Sequence, residues 1–596
     1  MAAWRPRPLM EKAYEALRRG HVAAAVAPTA YGKTVASPWV WGSSRADGLA
    51  YGLVHVAPLR SLVRRAFEGV FRGVGGRLQA HGAPAGVRSP YLLSPLVVST
   101  LDSFLWNLYR VPVAEALKVQ SGVSMGHYYP ALMAIYTSTI VLDEAHMYLW
   151  EDPQGGGAGA GWAASLAALW NLSAAGAPVL VETATVSPAM MRWLARAAGE
   201  RGLRAAVLRA PGRGGGCPYI DSLRGVLGGA LEEVADPDWE GGHLTPWETR
   251  VEQVKLEDLA GEITGEASRG PVLVVANTVA EAVRLYHAVE GRLPSGRAVL
   301  VHGRLSEEDR ARAEEGIARV EAEGGVVVAT QAAEAGVDVN AMAVYTAPAP
   351  LESLVQRAGR ACRRGRILDA CREEAGRVVV AAGSSRGPYR GDAVEPAVGV
   401  VANTISARGP RGLDWRATCN RGGVVSYASL LALARSGGSG AGPRAWGAAG
   451  RAMRLYLDGD AQPDRLLEML DSLGLCGLAR DTMMAEARVE GGVVVASLTW
   501  LLSHAREVLE AGHDGAPLVE VEYEGNTVVV EASTLWGAWE RRAGCSRLLD
   551  ALRRDISRAL SSGPGGRPGV ARARFLARPG AYRPGLGLLL PGELGG

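Results

Sequence analysis

Short apolar runs, mostly of β-branched residues, alternate with longer amphipathic segments over about the first two-thirds of the chain. The first series of runs predicts strands near residues 22–26, 53–57, 96–99, 139–142 and 178–182. A second series follows the Gly/Pro-rich passage at 211–216 and predicts strands at 272–275, 298–301, 326–329, 344–345 and 378–380. Buried strands that alternate with helices are typical of parallel α/β sheets. We therefore predict an α/β fold class with two consecutive parallel-sheet domains.

The pattern changes beyond roughly residue 400. The run at 436–443 (Ser-Gly-Gly-Ser-Gly-Ala-Gly-Pro) predicts a linker or a long flexible loop. Helical segments follow it, and then a hairpin with strands at 518–523 and 527–531 around a turn at 524–526. We predict a C-terminal accessory domain of mixed α+β type.

Composition bounds the classes of function. The 596 residues correspond to roughly three to five domains, and 48% of them are hydrophobic. The net charge is only +3, so a nucleic-acid partner would need a local basic channel. The uncharged stretch 158–181 is long enough for a membrane span, but its Asn, Ser and Pro residues divide it into a helix (162–174) and a strand (178–182). No signal peptide is visible, and we predict a cytoplasmic protein.

The six cysteines carry no C-x-x-C pair, which argues against a zinc site. Buried free thiols are our prediction for them. The alternative is a disulfide between Cys362 and Cys371.

The octapeptide Ala27–Thr34 ends in Gly-Lys-Thr and follows the apolar run Val22–Val26. A strand that leads into such a loop surrounds a phosphate with backbone N–H groups, here those of Thr29, Ala30, Tyr31 and Gly32. Lys33 then reaches the outer phosphates, and the Thr34 hydroxyl binds Mg²⁺. The alternative is an ordinary strand-to-helix turn.

A second motif, Asp143-Glu144-Ala145-His146, follows the apolar strand 139–142. Asp143 is placed to hold Mg²⁺ through water, and Glu144 is placed to orient and deprotonate the attacking water. Thr183-Ala184-Thr185 follows the next strand and either couples the nucleotide site to the neighbouring domain or caps a helix.

A third motif, 356–363, reads Gln-Arg-Ala-Gly-Arg-Ala-Cys-Arg. Its arginines Arg357, Arg360 and Arg363 recur every three residues after the helix-forming stretch 351–355. On one helix they would share a face and present an arginine finger to a γ-phosphate. The alternative is a solvated basic helix.

These motifs, in this order, resemble those of superfamily 2 helicases. Further segments resemble the CRISPR-associated helicase of type I systems in particular. They are Val275–Val279, Val301–Arg304 with Asp309-Arg310, Ala329–Asp338, Ala347–Leu354, Gly387–Tyr389, and Tyr582 with Gly585–Leu588.

The resemblance implies two RecA-like domains at 1–210 and 246–400, a linker at 211–245 and the accessory domain at 401–596. It implies ATP and Mg²⁺ as cofactors, with Gly336 and Asp338 added to the nucleotide-binding residues. The catalytic residues that it implies are Lys33, Asp143, Glu144, Gln356, Arg360 and Arg363, with Thr34 and Asp143 as metal ligands.

The resemblance also implies ATP-driven translocation on single-stranded or R-loop DNA. A motor must be indifferent to sequence, so contacts to the DNA backbone fit it better than base readout. By position, the candidate contacts are Thr100 and Asp102, and then Thr278, Arg304, Thr330 and Gln331. For Arg304 the alternative is an ordinary surface arginine.

The sequence departs from the family pattern in two respects. The stretch Arg7–Glu11 lacks the glutamine that often reads adenine, so ATP specificity is inferred only from the family. No histidine–aspartate nuclease domain is visible, and we interpret His513-Asp514 as turn residues. We predict a motor subunit of type I CRISPR interference that works with a separate nuclease subunit and an effector complex. The alternatives are a cellular helicase of repair or RNA metabolism, and a nucleic-acid-stimulated ATPase switch or scaffold.

Overall fold

A computed structural model describes residues 5–80, 83, 85–110, 112, 128–148, 160–212, 216–335, 338–389, 391–434, 484–523, 526–561 and 572–593. The predicted loop 436–443, the turn residues 524–525 and Gly336 lie outside these ranges. The chain divides into two compact units, each discontinuous in sequence: residues 1–255 with 333–466 (unit 1), and 256–332 with 467–596 (unit 2). The predicted domain boundaries stay predictions.

Unit 1 contains an eight-stranded parallel sheet in the order β3-β4-β2-β5-β6-β1-β7-β8. Its strands are β1 (Val22–Val26), β2 (Gly52–Ala57), β3 (Arg77–Gln79), β4 (Leu96–Thr100), β5 (Ser138–Leu142), β6 (Val179–Thr183), β7 (Leu203–Leu208) and β8 (Leu231–Val234). Strands β1, β2, β4, β5 and β6 are buried at every position, as expected for a parallel sheet covered on both faces.

The helices along this part of unit 1 are α1 (Pro8–Arg18), α2 (Lys33–Ala46), α3 (Arg60–Ala66), α4 (Leu101–Leu108), α5 (Tyr128–Tyr136), α6 (Ala160–Ala174), α7 (Pro188–Ala198), α8 (Pro218–Leu227) and α9 (Pro237–His243). Because the strands are parallel, the residues that follow β1, β5 and β6 meet at one edge of the sheet. That edge carries the first two motifs.

A second set of six parallel strands is distributed over the two units. Unit 1 holds β9 (Trp247–Glu252), β13 (Ala343–Thr346) and β14 (Gly376–Ala381), with β14 paired to both others. Unit 2 holds β10 (Pro271–Val275), β11 (Ala298–Val301) and β12 (Gly325–Ala329), with β12 in the middle.

The remaining elements of unit 1 follow this set along the chain. They are α14 (Leu351–Ala358), α15 (Gly365–Glu374), α16 (Gly391–Arg408), the short pair β15 (Leu413–Asp414) and β16 (Val425–Ser426), and α17 (Tyr427–Ala434). The four-residue helix α13 (Ala332–Ala335) begins at the end of one unit-2 segment and continues into unit 1.

Unit 2 adds α10 (Ala260–Glu266), α11 (Val279–Glu290) and α12 (Glu307–Glu323) to its parallel strands. Its C-terminal part is a mixed five-stranded sheet in the order β18-β17-β21-β19-β20, with strands β17 (Met484–Val489), β18 (Gly492–Ser497), β19 (Leu518–Tyr523), β20 (Asn526–Glu531) and β21 (Arg572–Leu576). Helices α18 (Leu498–Ser503), α19 (Ala505–Val508), α20 (Ser533–Glu540) and α21 (Cys545–Ser561) accompany it, and the small hairpin β22 (Tyr582–Arg583) and β23 (Gly587–Leu588) ends the described chain.

The predicted fold class is confirmed: two RecA-like parallel sheets and a mixed C-terminal sheet. The stretch 158–181 contains helix α6 and the start of strand β6, as predicted. Over the described ranges, no helix has both the length and the apolar character that a bilayer crossing requires.

The prediction that Arg357, Arg360 and Arg363 share one face of a helix is wrong. Helix α14 ends at Ala358, so Arg360 and Arg363 lie beyond it. The backbone there turns to pair with residue 341: the Ala341 N–H donates to the Arg360 carbonyl (3.1 Å), and the Cys362 N–H donates to the Ala341 carbonyl (2.8 Å). These non-local bonds replace the helical ones, and Cys362 takes a φ of 54°.

The prediction of buried free thiols is also wrong for four cysteines. Cys217 pairs with Cys419, and Cys362 pairs with Cys371. All four are buried. The first pairing crosses 202 positions of sequence, so no local pattern could have indicated it.

Candidate active site

The phosphate loop joins β1 to α2, whose first residue is Lys33. Ala30 and Gly32 have left-handed backbones, with φ of 66° and 94°, and this curls the loop. The Tyr31 side chain turns away from the loop and is buried, with its hydroxyl donating to Asp236 at 3.0 Å. Tyr31 can therefore contact a bound phosphate only through its backbone N–H.

Lys33 is 6% exposed. Its ammonium donates to two carbonyl oxygens of its own loop, those of Ala27 (2.9 Å) and Pro28 (3.2 Å). The charge therefore lies inside the curve of the loop, where a phosphate would find it.

Asp143 follows β5 and is buried. Its carboxylate accepts hydrogen bonds from the Thr34 hydroxyl (2.9 Å) and from the backbone N–H of Glu144 (2.8 Å). His55 Nε2 lies 3.2 Å from Asp143 Oδ2. Burial alone would raise the pKa of Asp143, but the hydrogen bond from His55, the His55 charge and the Lys33 charge together lower it to about 2.

Sequence reasoning missed His55. It is fully buried in β2, beside β5, and its Nδ1 lies 3.0 Å from the Ser37 hydroxyl. A proton on His55 Nε2 faces the Asp143 carboxylate. The only signal in the sequence was a polar residue in the middle of an apolar strand.

Glu144 has a left-handed backbone (φ 47°), which is uncommon for a residue with a side chain. Its Oε2 is buried and has no hydrogen-bond partner among the described residues, with His146 Nδ1 3.4 Å away. A strained residue with a free buried oxygen is the kind of group that active sites hold in place.

His146 connects the second motif to the third. Its Nδ1 lies 3.2 Å from the Thr183 hydroxyl, and Gln356 Nε2 lies 3.3 Å from its Nε2. Burial lowers the pKa of His146, so the ring stays neutral and can accept from Gln356 while donating to Thr183. Gln356 therefore reaches the Asp-Glu-Ala-His motif through this histidine.

Two arginines of the third motif have carboxylate partners. Arg357 is fully buried and pairs with Glu334 at 2.7 Å, while Thr346 and Tyr389 accept further hydrogen bonds from it. Arg363 pairs with Asp338 at 2.6 Å. Sequence reasoning did not single out Glu334, although it lies inside the segment 329–338.

Arg360 is the exception. It is 5% exposed and donates to the backbone carbonyl of Glu334, and it has no carboxylate partner in the described part of the chain. Burial, reinforced by the charges of Arg363 and Arg65, lowers the pKa of Arg360 to about 9, so it is still a cation at neutral pH. A buried cation without a direct ion-pair partner is costly unless an anion binds to it.

The third motif (the arginine motif, 356–363) also lies against the phosphate loop between β1 and α2. A methyl group at Gly359 would come within 2.6 Å of the Thr29 hydroxyl oxygen. Only glycine allows this approach, which brings the residue before Arg360 to the loop that holds Lys33.

Asp338, predicted to bind nucleotide, is surrounded by arginines. Besides Arg363 it contacts Arg364 (2.6 Å) and Arg65 (3.6 Å). These charges outweigh burial and keep the pKa of Asp338 well below its usual value. Its nucleotide role stays a prediction.

Two of the six predicted DNA contacts are in unit 1, at the start of α4. The Thr100 hydroxyl caps this helix by accepting from the Ser103 N–H at 3.3 Å, and Asp102 is in its first turn. The other four are in unit 2. Thr278 caps α11, Thr330 is buried after β12, and Gln331 donates to the Asn277 carbonyl at 2.9 Å. Arg304 pairs with Glu593 at 2.6 Å. The DNA roles of all six stay predictions.

Glu182 is a further buried acid that sequence reasoning passed over. It lies on β6 opposite Ala25, and neither of its carboxyl oxygens has a hydrogen-bond partner among the described residues. Burial and the nearby Asp143 charge raise the pKa of Glu182 well above its usual value.

Within the described ranges, no group of three or more His, Cys, Asp or Glu side chains is arranged to hold a metal ion. The predicted location of the nuclease on a partner is not tested by this finding and stays a prediction.

Comparison with known proteins gives a consistent picture. The family described as "CRISPR-associated nuclease/helicase Cas3, C-terminal" matches residues 268–366. A CRISPR-associated helicase Cas3 from Thermoproteus tenax is 28% identical over 359 residues, which cover 57% of this chain and 53% of the relative. The chain thus spans about half the length of that relative.

Solved structures share the fold. The crystal structure of T. fusca Cas3-AMPPNP matches with a TM-score of 0.51 at 19% identity, covering 78% of this chain and 56% of that one. The T. fusca Cas3-ADP structure gives the same TM-score and covers 81% of this chain and 59% of that one. The chain therefore shares the fold of these Cas3 structures, and its sequence resembles the CRISPR-associated Cas3 helicases.

Proposed function

We propose that this chain is an ATP-dependent superfamily 2 helicase that translocates on single-stranded DNA as the motor of type I CRISPR interference. The observation that carries the proposal is Arg360, a buried guanidinium with no carboxylate partner among the described residues, whereas Arg357 and Arg363 each have one. A γ-phosphate held by the adjacent phosphate loop would supply the missing negative charge.

The other residues then take distinct roles. Lys33 binds the outer phosphates when its ammonium leaves or shares the carbonyls of Ala27 and Pro28. Glu144 accepts a proton from the attacking water through its free oxygen. Gln356 and His146 link the arginine motif to Glu144, so that nucleotide binding and the position of the base change together.

Thr34 and Asp143 fit a magnesium ion. A hydroxyl and a carboxylate are the hard oxygen donors that this ion prefers, and the low pKa of Asp143 keeps it ionised near neutrality. When bound there, Mg²⁺ would offset the charge of the nucleotide phosphates.

The DNA partner is argued from position and from the family resemblance. The candidate contacts follow strands or cap helices, as Thr100 and Thr278 do, where backbone and hydroxyl groups can meet phosphates without reading bases. Phosphate contacts release counterions, so binding should weaken steeply as salt rises.

We propose that here nuclease activity is on a separate subunit and that the motor joins a CRISPR effector complex. Purified protein is incubated with labelled single-stranded DNA and Mg²⁺, Mn²⁺, Ni²⁺ or Co²⁺, and we expect no cleavage. Cleavage that His513→Ala removes would instead assign a nuclease to this chain.

The deciding experiment measures ATP hydrolysis with and without single-stranded DNA, between about 50 and 200 mM salt. We expect DNA to stimulate hydrolysis, salt to suppress the stimulation, and Lys33→Ala to abolish hydrolysis. Full hydrolysis without nucleic acid would contradict the proposal.

A strand-displacement assay on partial duplexes then separates the alternatives. Displacement of DNA supports the motor. Stimulated hydrolysis without displacement would support an ATPase switch, and stimulation by RNA alone would support a cellular RNA helicase.

A further inference from the structure

The last described segment of the chain, Tyr582–Glu593 (the C-terminal tail), packs on a loop of the same unit almost three hundred positions earlier. This loop, His302–Ser306, connects β11 to α12 and carries Arg304, one of the predicted DNA contacts. Several independent interactions join the two segments.

Backbone and imidazole groups make the first set. His302 is fully buried, and its Nε2 donates to the Leu586 carbonyl at 2.8 Å. The Leu588 N–H donates to the Arg304 carbonyl at 3.0 Å. Between them, Gly587 has a φ of 91°, and a methyl group there would lie 2.6 Å from the His302 ring and 2.7 Å from the Arg304 carbonyl oxygen. The tail backbone therefore lies so close to this loop that position 587 has no room for a side chain.

Tyr582 joins the other end of the loop. Its buried hydroxyl accepts from the Ser306 N–H at 3.1 Å and donates to the Asp309 carboxylate. Asp309 also accepts from the Gly585 N–H at 2.8 Å. The first turn of α12 is thus held by the tail as well as by its own cap, Ser306.

The Arg304 side chain is held on two sides. Glu593 pairs with the guanidinium at 2.6 Å, and the Trp500 ring lies under it at 4.4 Å. The two charged side chains are 20% and 12% exposed. A guanidinium stacked and paired in this way keeps one orientation, which a flexible surface arginine would not.

We infer that the C-terminal tail is a positioning element for DNA binding, because it fixes the loop His302–Ser306 and the orientation of Arg304. This inference rests on the proposed function, since it assumes that the loop meets single-stranded DNA. Tyr582, Gly587 and Glu593 act through the loop and do not touch the DNA. A loop without these contacts would have to be ordered at the moment of binding, and the entropy lost there weakens affinity.

The test uses Tyr582→Phe in the full chain, which keeps the buried ring and removes only the bridging hydroxyl. The matched control is Tyr51→Phe, the same change at a tyrosine that is 61% exposed in the other unit. Fluorescence anisotropy with labelled oligothymidine gives the DNA affinity, and ATPase titrations with the same oligonucleotide give the half-saturating concentration and kcat.

We expect Tyr582→Phe to weaken DNA binding and raise the half-saturating DNA concentration about tenfold, because it removes both hydrogen bonds of the bridging hydroxyl. The kcat at saturating DNA should fall less than twofold, and the affinity for a fluorescent ATP analogue should match that of Tyr51→Phe. Gly587→Ala should give a larger shift in the same direction. If it does not fold, Tyr582→Phe decides alone.

The outcomes separate two failures. Wild-type protein that binds no oligothymidine and shows no stimulation contradicts the proposed function. Wild-type protein that binds normally, together with Tyr582→Phe indistinguishable from Tyr51→Phe, overturns the inference about the tail. A fall in half-saturating concentration on Glu593→Gln also overturns it, because Glu593 would then compete with DNA for Arg304.

Discussion

Arginines three positions apart in one motif have different surroundings, and the difference separates structural from chemical roles. Arg357 is fully buried against Glu334, and Arg363 pairs with Asp338. In the part of the chain that the structure describes, Arg360 contacts a backbone carbonyl and no carboxylate. Sequence spacing treats the three alike. The partners make Arg360 the candidate for contact with a phosphate.

Arg360→Ala should lower ATP hydrolysis by about 10³-fold, because it removes the cation proposed to pair with the γ-phosphate. The urea midpoint of unfolding should change little, because no ion pair within the described part of the protein is lost. The matched variant is Arg357→Ala. It should destabilise the protein by about 3–5 kcal/mol, since the largely buried Glu334 carboxylate would lose its ion-pair partner. Single-turnover hydrolysis and urea unfolding measure the two effects. Equal loss of stability in both variants would assign Arg360 to structure.

Glu144→Gln should keep nucleotide binding and lower turnover by about 10² to 10⁴-fold, because an amide cannot accept the proton of water. The amide is the same size, so the strained turn at this residue should persist. Glu200→Gln, at an exposed acid of the same unit, is the control. Binding of a fluorescent ATP analogue and steady-state hydrolysis are measured for both. Near wild-type turnover in Glu144→Gln would remove this residue as the base.

At the scale of elements, burial decides what a sequence pattern can predict. Strands β1, β5 and β6 are buried at every position and therefore read as continuous apolar runs. Strand β9 was missed because it is half-buried and carries Glu248, Arg250 and Glu252 between its other residues. Strand β9 pairs with β14, which lies more than one hundred residues later in the chain, and a local sequence pattern does not reveal such a pairing.

The candidate site shows the same division. The positions of Lys33 and Asp143 were predictable because each belongs to a motif of fixed spacing that follows a buried strand. His55 was not, because its contact with Asp143 depends on β2 lying beside β5. The helix predicted through Arg363 failed for a similar reason, since hydrogen bonds to Ala341 end the helix at Ala358.

The contact between the loop after β11 and the C-terminal tail should depend on pH. Burial, opposed by the hydrogen bond to Leu586 and reinforced by Arg304 and Arg310, lowers the pKa of His302 to about 4. An unfolded histidine has a pKa near 6.5, so the unfolded chain binds the proton first as pH falls. The contribution of His302 to stability is therefore complete above about pH 6.5 and is lost as pH falls towards 4, roughly 3 kcal/mol in all.

The measurement is the urea midpoint of unfolding at pH 7 and pH 5 for wild-type protein and His302→Gln. The variant should lose less stability than wild type between the two pH values, because its amide does not titrate. His287→Gln, at a half-exposed histidine of α11, should behave as wild type. Equal losses in wild type and His302→Gln would contradict the shifted pKa.

At the scale of the whole molecule, one disulfide of unit 1 joins segments far apart in sequence and the other closes a short local loop. Cys217–Cys419 joins the start of α8 to the segment after β15, and the neighbouring Thr418 accepts from the Ala210 N–H at 2.8 Å. Cys362–Cys371 lies within the arginine motif and the helix that follows it. The hydrogen bond and the disulfide thus hold the same two segments together, residues 210–217 and 418–419.

Loss of the longer link should cost more stability than loss of the shorter one. A cross-link restricts the unfolded chain in proportion to the logarithm of the loop it closes, so separations of 202 and 9 residues correspond to about 5 and about 3 kcal/mol. Cys419→Ser should therefore lower the thermal midpoint more than Cys371→Ser does.

Alkylation and mass spectrometry of the denatured, unreduced protein should find at most two of the six cysteines free, namely Cys476 and Cys545. The native protein should resist the same reagent at all four paired positions, since these are buried. Alkylation of all six after denaturation, or a larger loss from Cys371→Ser, would contradict this account of how the unit is held together.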